Sequence, residues 1–390
     1  MATSLTHVRI VGAGLIGTSI ALALRSTGVK VTLCDSDIRA QSLARDLMGE
    51  QHGDDGGIED LCIIATPPDF IADVIRAESS RNSQLRVMDI SSIKTKPLLD
   101  VSSLGFDLTL FAPTHPMAGR EVSGPQSARG DLFQGRPWIL CLEGVDPELS
   151  LVVRDVVSRC GAIALDRTVG EHDQAVALVS HLPQMVASLL ASQLLVGQGS
   201  ELELAGAGLR DTTRIAESDP ALWAQILAGN SAALRPLLIS LQNDLSHAIE
   251  NLDDPASMAQ LISNGQRGRA VIPGKHGGQA RNYSYLDIVI DDKPGQLAAI
   301  IETCAAAKVN IEDLAIEHTP GQQTGLITLA FSPEDSAIVA AHLKKEGWKV
   351  HPSRYNKALD VHERMISPAR TSRSITEKSC TDDRHCNRWS

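Results

Sequence analysis

Short apolar runs alternate with segments of helical period over residues 8–166. The runs VRIVG (8–12), KVTLCD (30–35), LCIIAT (61–66), RVMDIS (86–91), LTLFAP (108–113), WILCLE (138–143) and AIALD (162–166) read as strands. Several are apolar without alternation, as expected of strands covered on both faces of a parallel sheet. Regular β/α alternation of this kind predicts a doubly wound α/β domain of the Rossmann type over residues 1–168.

Beyond residue 168 the pattern changes to long Ala/Leu-rich segments. In HDQAVALVSHLPQMVASLLASQLLV (172–196), Leu178, Leu182, Met185 and Leu189 fall on one stripe at helical spacing. Asp219-Pro220 reads as an N-cap followed by proline at the first helical position, and SAALRPLLISLQNDLSHAIENL (231–252) gives a further long helix. These segments predict an all-α domain over 169–273 that packs against a second copy of the chain. The Gly-rich, basic stretch IPGKHGGQARN (272–282) places a linker at 274–283. From 284 to 354 the runs spell β-α-β-β-α-β, a small α+β module with Ser332 as an N-cap and Gly347 past the end of its second helix. Residues 355–390 are polar and aperiodic and read as a disordered tail.

Composition narrows the class. At 390 residues the chain exceeds one ordinary core, and 43% apolar with 21% charged content is globular. A formal charge of -11 argues against a nucleic-acid partner. No run approaches the roughly 20 apolar residues a membrane span needs, and MATSLTHVRIVGAG enters the first strand directly, leaving no room for a signal peptide. The seven cysteines (34, 62, 141, 160, 304, 380, 386) are scattered, with no Cys-x-x-Cys and no zinc spacing. Reduced thiols in the cytoplasm, no membrane and no metal are the expectations.

The first motif is Gly12-x-Gly14-x-x-Gly17, between a strand and a helix. Such a turn lets a pyrophosphate approach the backbone and meet the helix N-terminus. The next strand ends in Asp35, placed to hold a ribose 2′-hydroxyl and to repel a 2′-phosphate, which favours NAD; Arg39 nearby keeps NADP open. The expected cofactor set is Gly12, Gly14, Leu15, Ile16, Gly17, Asp35, Arg39 and Thr66.

A nicotinamide cofactor implies hydride transfer, which needs a base and a substrate anchor. Two strand ends carry candidates: Ser91, Ser92 and Lys94 in VMDISSIKTK, and His115 in LFAPTHPMAG. His115 is either a proton carrier or a structural loop residue. His181 lies two residues before Pro183, whose kink either aims the imidazole at a cleft or only bends the helix. His172, nine residues earlier, is about half a turn out of phase with it and reads as a surface or capping residue. Arg210 and Arg214 share a helix face with Asp211 in reach, either a carboxylate clamp or a surface ion-pair cluster.

The segments GAGLIGTS, DISSIK, HPMAGREVSGP, VSHLPQ and LRDTTRIAESDPALW, in this order, resemble the prephenate/arogenate dehydrogenases of tyrosine biosynthesis. DDKPGQLAAI and VNIEDLAIEH, within residues 284–352, resemble an ACT domain. The resemblance implies that His115 takes the proton from the ring 4-hydroxyl while Ser92 orients it. It implies substrate-binding roles for His181, Arg214 and Lys94, with Arg214 facing a carboxylate. Glu121 and Asp211 would form an ionic network at the site entrance, beside Trp223. The implied reaction is NAD-dependent oxidative decarboxylation, giving 4-hydroxyphenylpyruvate from prephenate or tyrosine from arogenate, with prephenate preferred. A homodimer through the helical domain and tyrosine as an effector at the ACT-like module complete the expectation.

Two rivals stand beside it. A β-hydroxyacid dehydrogenase would need a lysine in the helical domain, and residues 169–271 contain none. A non-catalytic sensor of NAD and an amino acid would give no turnover.

Overall fold

The computed structural model describes residues 5–49, 58–119, 124–196, 199–272, 283–291, 293–318 and 324–352. Two compact units divide at Asn251 and Leu252. The linker 274–282, the tail from 353 and Glu121 lie outside the described residues.

The first unit opens with a seven-stranded sheet and its helices: β1 (His7–Val11), α1 (Leu15–Ser26), β2 (Lys30–Cys34), α2 (Ile38–Met48), β3 (Leu61–Ile64), α3 (Ile71–Ser79), β4 (Val87–Asp89), α4 (Thr95–Ser103), β5 (Phe111–Pro116), β6 (Pro137–Leu140), α5 (Pro147–Arg159) and β7 (Ile163–Asp166). The strand order is β2-β1-β3-β4-β5-β6-β7. Pairing is parallel except between β5 and β6, which run antiparallel. No α-helix joins those two among the described residues, and an antiparallel pair needs no crossover. The order reverses at β1, so its C-terminal end and that of β3 form the crevice where open α/β sheets take a ligand.

Each apolar run overlaps one of these strands. The largest displacement is at the fifth: Leu108–Leu110 forms a 3-10 turn with Asp107 as its N-cap, and the strand starts only at Phe111 and runs on to Pro116. Alternate residues of β3, β4 and β5 enter different cores, Leu61, Ile63, Met88 and Ala112 one, Cys62, Ile64, Val87 and Phe111 the other. The sheet is thus covered on both faces by the period of two inherent in a strand.

Helices follow within the same unit: α6 (Val169–Val176), a π-helical turn (Ala177–His181), α7 (Leu182–Gln193), α8 (Gly199–Leu202), α9 (Ala207–Thr213), a 3-10 turn (Arg214–Glu217), α10 (Pro220–Gly229) and α11 (Ser231–Glu250). The sequence reading separates them from the sheet at residue 168; the structure joins them into one compact unit. Backbone N–H groups at the start of α4 donate to Asp173 of α6, which ties the two parts together.

The stretch Val169–Gln193 is, by length and composition, long and apolar enough to cross a membrane, which corrects the expectation that no such stretch exists. Its polar residues His172, Asp173, His181 and Gln184 are nonetheless buried within the unit. Leu178 and Leu189 of the predicted stripe are more than half exposed while Leu182 and Met185 are half-buried, so the stripe is not a core seam along its length.

The second unit contains α12 (Pro255–Ala270), β8 (Ser284–Asp291), α13 (Gln296–Ala306), β9 (Asp313–His318), β10 (Thr324–Phe331), α14 (Pro333–Lys345) and β11 (Lys349–Pro352). Its antiparallel sheet has the order β11-β8-β10-β9 and packs Leu286, Ile288, Ile327 and Leu329 against Ile300, Val339 and Leu343 of the two following helices. The β-α-β-β-α-β pattern is present as read.

Candidate functional site

The Gly-rich turn sits at the C-terminal end of β1. Gly12 has φ of +116°, and a Cβ there would strike the Ala65 carbonyl oxygen at the end of β3. A Cβ on Gly17 would strike the Gly12 carbonyl oxygen, so α1 lies close on the turn. Gly14 differs: nothing lies within 4 Å of where its Cβ would stand. Packing within the chain therefore does not account for glycine at 14, whereas the approach of a phosphate does. Gly14 is the N-cap of α1 without a side-chain bond, and no acidic residue occupies the first turn, where Leu15 and Ile16 lie. Its N-terminal N–H groups suit an anion. Asp35 accepts from the Ala13 N–H at 2.6 Å and from the Asp37 N–H at 2.8 Å, so its carboxylate is locked beside the turn. The Thr66 hydroxyl is buried with no partner among the described residues, at the end of β3. Arg39 is exposed in α2. An open cradle, an uncapped helix start and an orphaned hydroxyl fit a dinucleotide.

His115 is the penultimate residue of β5, paired with Ile139 of β6. Its neighbour Thr114 is fully buried; the Thr114 hydroxyl donates to the Asp89 carbonyl and accepts from the Trp138 indole. A strand so pinned aims the partly buried imidazole reproducibly. His115 Nδ1 lies 2.9 Å from His172 Nε2, and His172 Nδ1 lies 2.9 Å from Asp173 Oδ1. Asp173 also accepts from the N–H of Lys94 at 2.9 Å and of Thr95 at 2.8 Å. Burial works to raise the Asp173 carboxyl, but hydrogen bonds from His172, Thr95 and Lys94 bring it down to about 2. Burial, reinforced by neighbouring His172, Lys94 and His181, holds His115 well below the ordinary imidazole value. Burial likewise lowers His172, against the pull of Asp173. Both rings are neutral near neutral pH.

His172 corrects the sequence reading, which took it for a surface or capping residue. It is fully buried, and the cap of α6 is Thr168. A capping box between Thr168 and Glu171 starts α6 at Val169 and turns His172 inward. The phase argument fails for a second reason. A π-helical turn closes i to i+5 and carries one residue more than an α-turn. With that residue absorbed, nine positions span about 2.2 turns instead of 2.5, and His172 and His181 share a face. The turn ends just before Pro183, which has no N–H for an α-type bond.

His181, 1% exposed, is held by Asn230, whose Nδ2 donates to the Asp173 carbonyl at 2.8 Å and contacts His181 Nδ1 at 3.1 Å. Burial lowers His181 to about 4. With Nδ1 accepting, its proton sits on Nε2, making it a hydrogen-bond donor. Trp223 of α10 stands edge-on to this ring at 6.1 Å.

The other expected residues divide. Lys94 is fully buried, and its ammonium donates to Asp89, to the Thr114 carbonyl at 2.7 Å and to Ser91 Oγ at 3.2 Å. All three donors are used, so Lys94 supports the site from below and does not reach a substrate. Ser92 is partly buried and makes no hydrogen bond to His115; the bond that orients His115 comes from His172. Arg214 opens the exposed 3-10 turn that packs on α7, and Ser218 after that turn donates to Gln184 Oε1 at 3.2 Å. Asp211 is exposed on α9. No cluster of metal-ligating side chains occurs among the described residues.

A dinucleotide cradle at a sheet switch point, with a neutral histidine at a neighbouring strand end and buried helical residues behind it, defines a nucleotide-dependent oxidoreductase. The family model for the prephenate dehydrogenase nucleotide-binding domain matches residues 20–165, and that for the prephenate dehydrogenase dimerization domain matches 168–262. The probable prephenate dehydrogenase NovF of Streptomyces niveus is 31% identical over 353 residues, covering 87% of this chain and 98% of the relative. The crystal structure of A. aeolicus prephenate dehydrogenase in complex with hydroxyphenyl propionate and NAD+ is 26% identical with a TM-score of 0.62, over 70% of this chain and all of that one. Synechocystis arogenate dehydrogenase is 28% identical with a TM-score of 0.56, over 68% of this chain and 99% of that one. The chain belongs to the prephenate dehydrogenase family.

Proposed function

We propose that this chain is an NAD-dependent prephenate dehydrogenase, forming 4-hydroxyphenylpyruvate and carbon dioxide from prephenate in tyrosine biosynthesis. The observation that carries the mechanism is His115, tied through Nδ1 to His172 and aimed from the end of β5. NAD would lie on Gly12, Gly14 and Gly17 with Asp35 and Thr66 beside it, and would supply the acceptor for the hydride that leaves the ring carbon. His115 Nε2 takes the ring hydroxyl proton. Its imidazolium returns that proton to the phenolate formed as the ring carboxylate leaves as carbon dioxide, so protons balance over the turnover. His181, with Nε2–H free of Asn230, donates to the substrate, and Arg214 pairs with a carboxylate. Aromatisation drives the reaction, so alignment and charge anchoring are what the protein has to supply.

Three further readings belong to this proposal. Residues 1–168 bind the nucleotide, 169–273 supply substrate contacts and the homodimer interface, and 284–354 form a regulatory module that takes tyrosine. The exposed Leu178 and Leu189 support the dimer. The test is a steady-state panel with prephenate or arogenate against NAD or NADP, read by reduced nicotinamide absorbance, with and without tyrosine. Turnover with prephenate and NAD is expected. Preference for arogenate would change the substrate, and no turnover with either would leave the sensor reading.

A further inference from the structure

We propose that His172 and Asp173 are positioning residues that set the protonation pattern of the catalytic base, an inference that rests on the role given to His115. The assignment follows from donors and acceptors. Asp173 Oδ1 faces the Lys94 N–H at 2.9 Å and His172 Nδ1 at 2.9 Å, and Oδ2 faces the Thr95 N–H at 2.8 Å. A carboxylate receiving two backbone N–H groups at the start of α4 is an acceptor only. His172 Nδ1 must then carry a proton. A neutral imidazole with hydrogen on Nδ1 has a lone pair on Nε2, and that atom is the one 2.9 Å from His115 Nδ1. His115 therefore carries its proton on Nδ1, and its lone pair is on Nε2.

Without this chain of bonds the His115 imidazole is free to hold its proton on Nε2, a form that cannot accept the substrate's hydroxyl proton. When Nε2 does accept, the imidazolium keeps its Nδ1–H donated to His172, whose far nitrogen faces ionised Asp173. Positive charge formed at His115 is thus met by a negative group two hydrogen bonds away, through His172 and Asp173, which are both buried from water. Among the described residues, the Lys94 ammonium also lies close to His115 and is held on Asp89 and the Thr114 carbonyl, and His181 faces the pair from the π-helical turn without a bond to either ring.

The test compares His172→Phe with His172→Gln in the full-length enzyme. Phenylalanine fills the space with no acceptor; the glutamine amide oxygen can still accept from His115 Nδ1. We expect His172→Phe to lower kcat on the order of 10²-fold with KM for prephenate and NAD little changed, and His172→Gln to recover a substantial part. Equal kcat in the two variants, or a loss confined to KM, would overturn the proposal. Nitrogen-15 histidine spectra of the wild-type protein give a second readout that no folding defect can confound: hydrogen on Nδ1 is expected for both His115 and His172, and hydrogen on Nε2 of His115 refutes it. His115→Asn, run in parallel, separates the two levels. If that variant keeps its turnover the base itself is misassigned; if it is inactive while His172→Phe is not, only the positioning role fails.

Discussion

Replacing Lys94 by methionine separates support of the site from contact with substrate. Lys94 and Asp89 are both fully buried, and the ammonium donates to Asp89, Ser91 and the carbonyl of Thr114, the residue before His115. Methionine retains the length and removes the charge. The Asp89 carboxylate is then left without its ammonium partner in a dry interior, and the Thr114 carbonyl loses a donor. Breaking a buried pair from one side costs about 3–5 kcal/mol. For a cooperative unit of this size that corresponds to a fall in Tm of roughly 10 °C. Replacing both partners, Asp89→Leu with Lys94→Met, removes the uncompensated charge and should recover much of the loss. The assay is thermal unfolding of the two variants alongside steady-state kinetics. Because no donor of Lys94 is left for a substrate, KM for prephenate should hold while kcat falls with the disturbed strand. A KM raised tenfold or more at unchanged Tm would refute the reasoning and return Lys94 to the substrate-binding set.

Arg214→Ala should raise KM for prephenate roughly 10–100-fold, the worth of one charge-assisted hydrogen bond, with NAD affinity retained; altered NAD affinity alone would contradict the anchor role. Gly14→Ala should leave Tm nearly unchanged, since its Cβ meets nothing within 4 Å, and should weaken NAD binding in a calorimetric titration. Stability should also depend on pH through His181. Burial holds it at about 4 against an ordinary 6.5, so between those values the unfolded chain binds the extra proton. Its contribution is complete above about pH 6.5 and is lost as pH falls toward 4, about 3 kcal/mol in total. Urea titrations at stepped pH should show this slope in the wild type and a shallower one in His181→Asn; identical slopes would contradict it.

The sheet was legible because continuous apolar runs are a local signal, and the Gly-rich turn because its three glycines and Asp35 lie within one β-α-β stretch. His115 could be found as a titratable group at a strand end. His172 could not, since its phase was reckoned at 3.6 residues per turn and the π-helical turn adds a residue. The clues were Thr168 and Glu171 ahead of it, which start a helix there, and Pro183, four residues past Val179. Lys94 misled for a different reason. A lysine in a strand-end motif looks like an anion ligand, and its true partners, Asp89 and Thr114, come from two adjacent strands whose pairing a sequence does not display.

The grip of the α4 N-terminus on Asp173 bears on how this architecture can be recombined. A chimera that took its helices from one relative and its sheet from another would inherit the imidazole from one parent and the groups that poise it from the other. Activity would then hinge on how well the turn at 91–95 and the His-Asp pair at 172–173 mate across the splice, even if every substrate contact were kept.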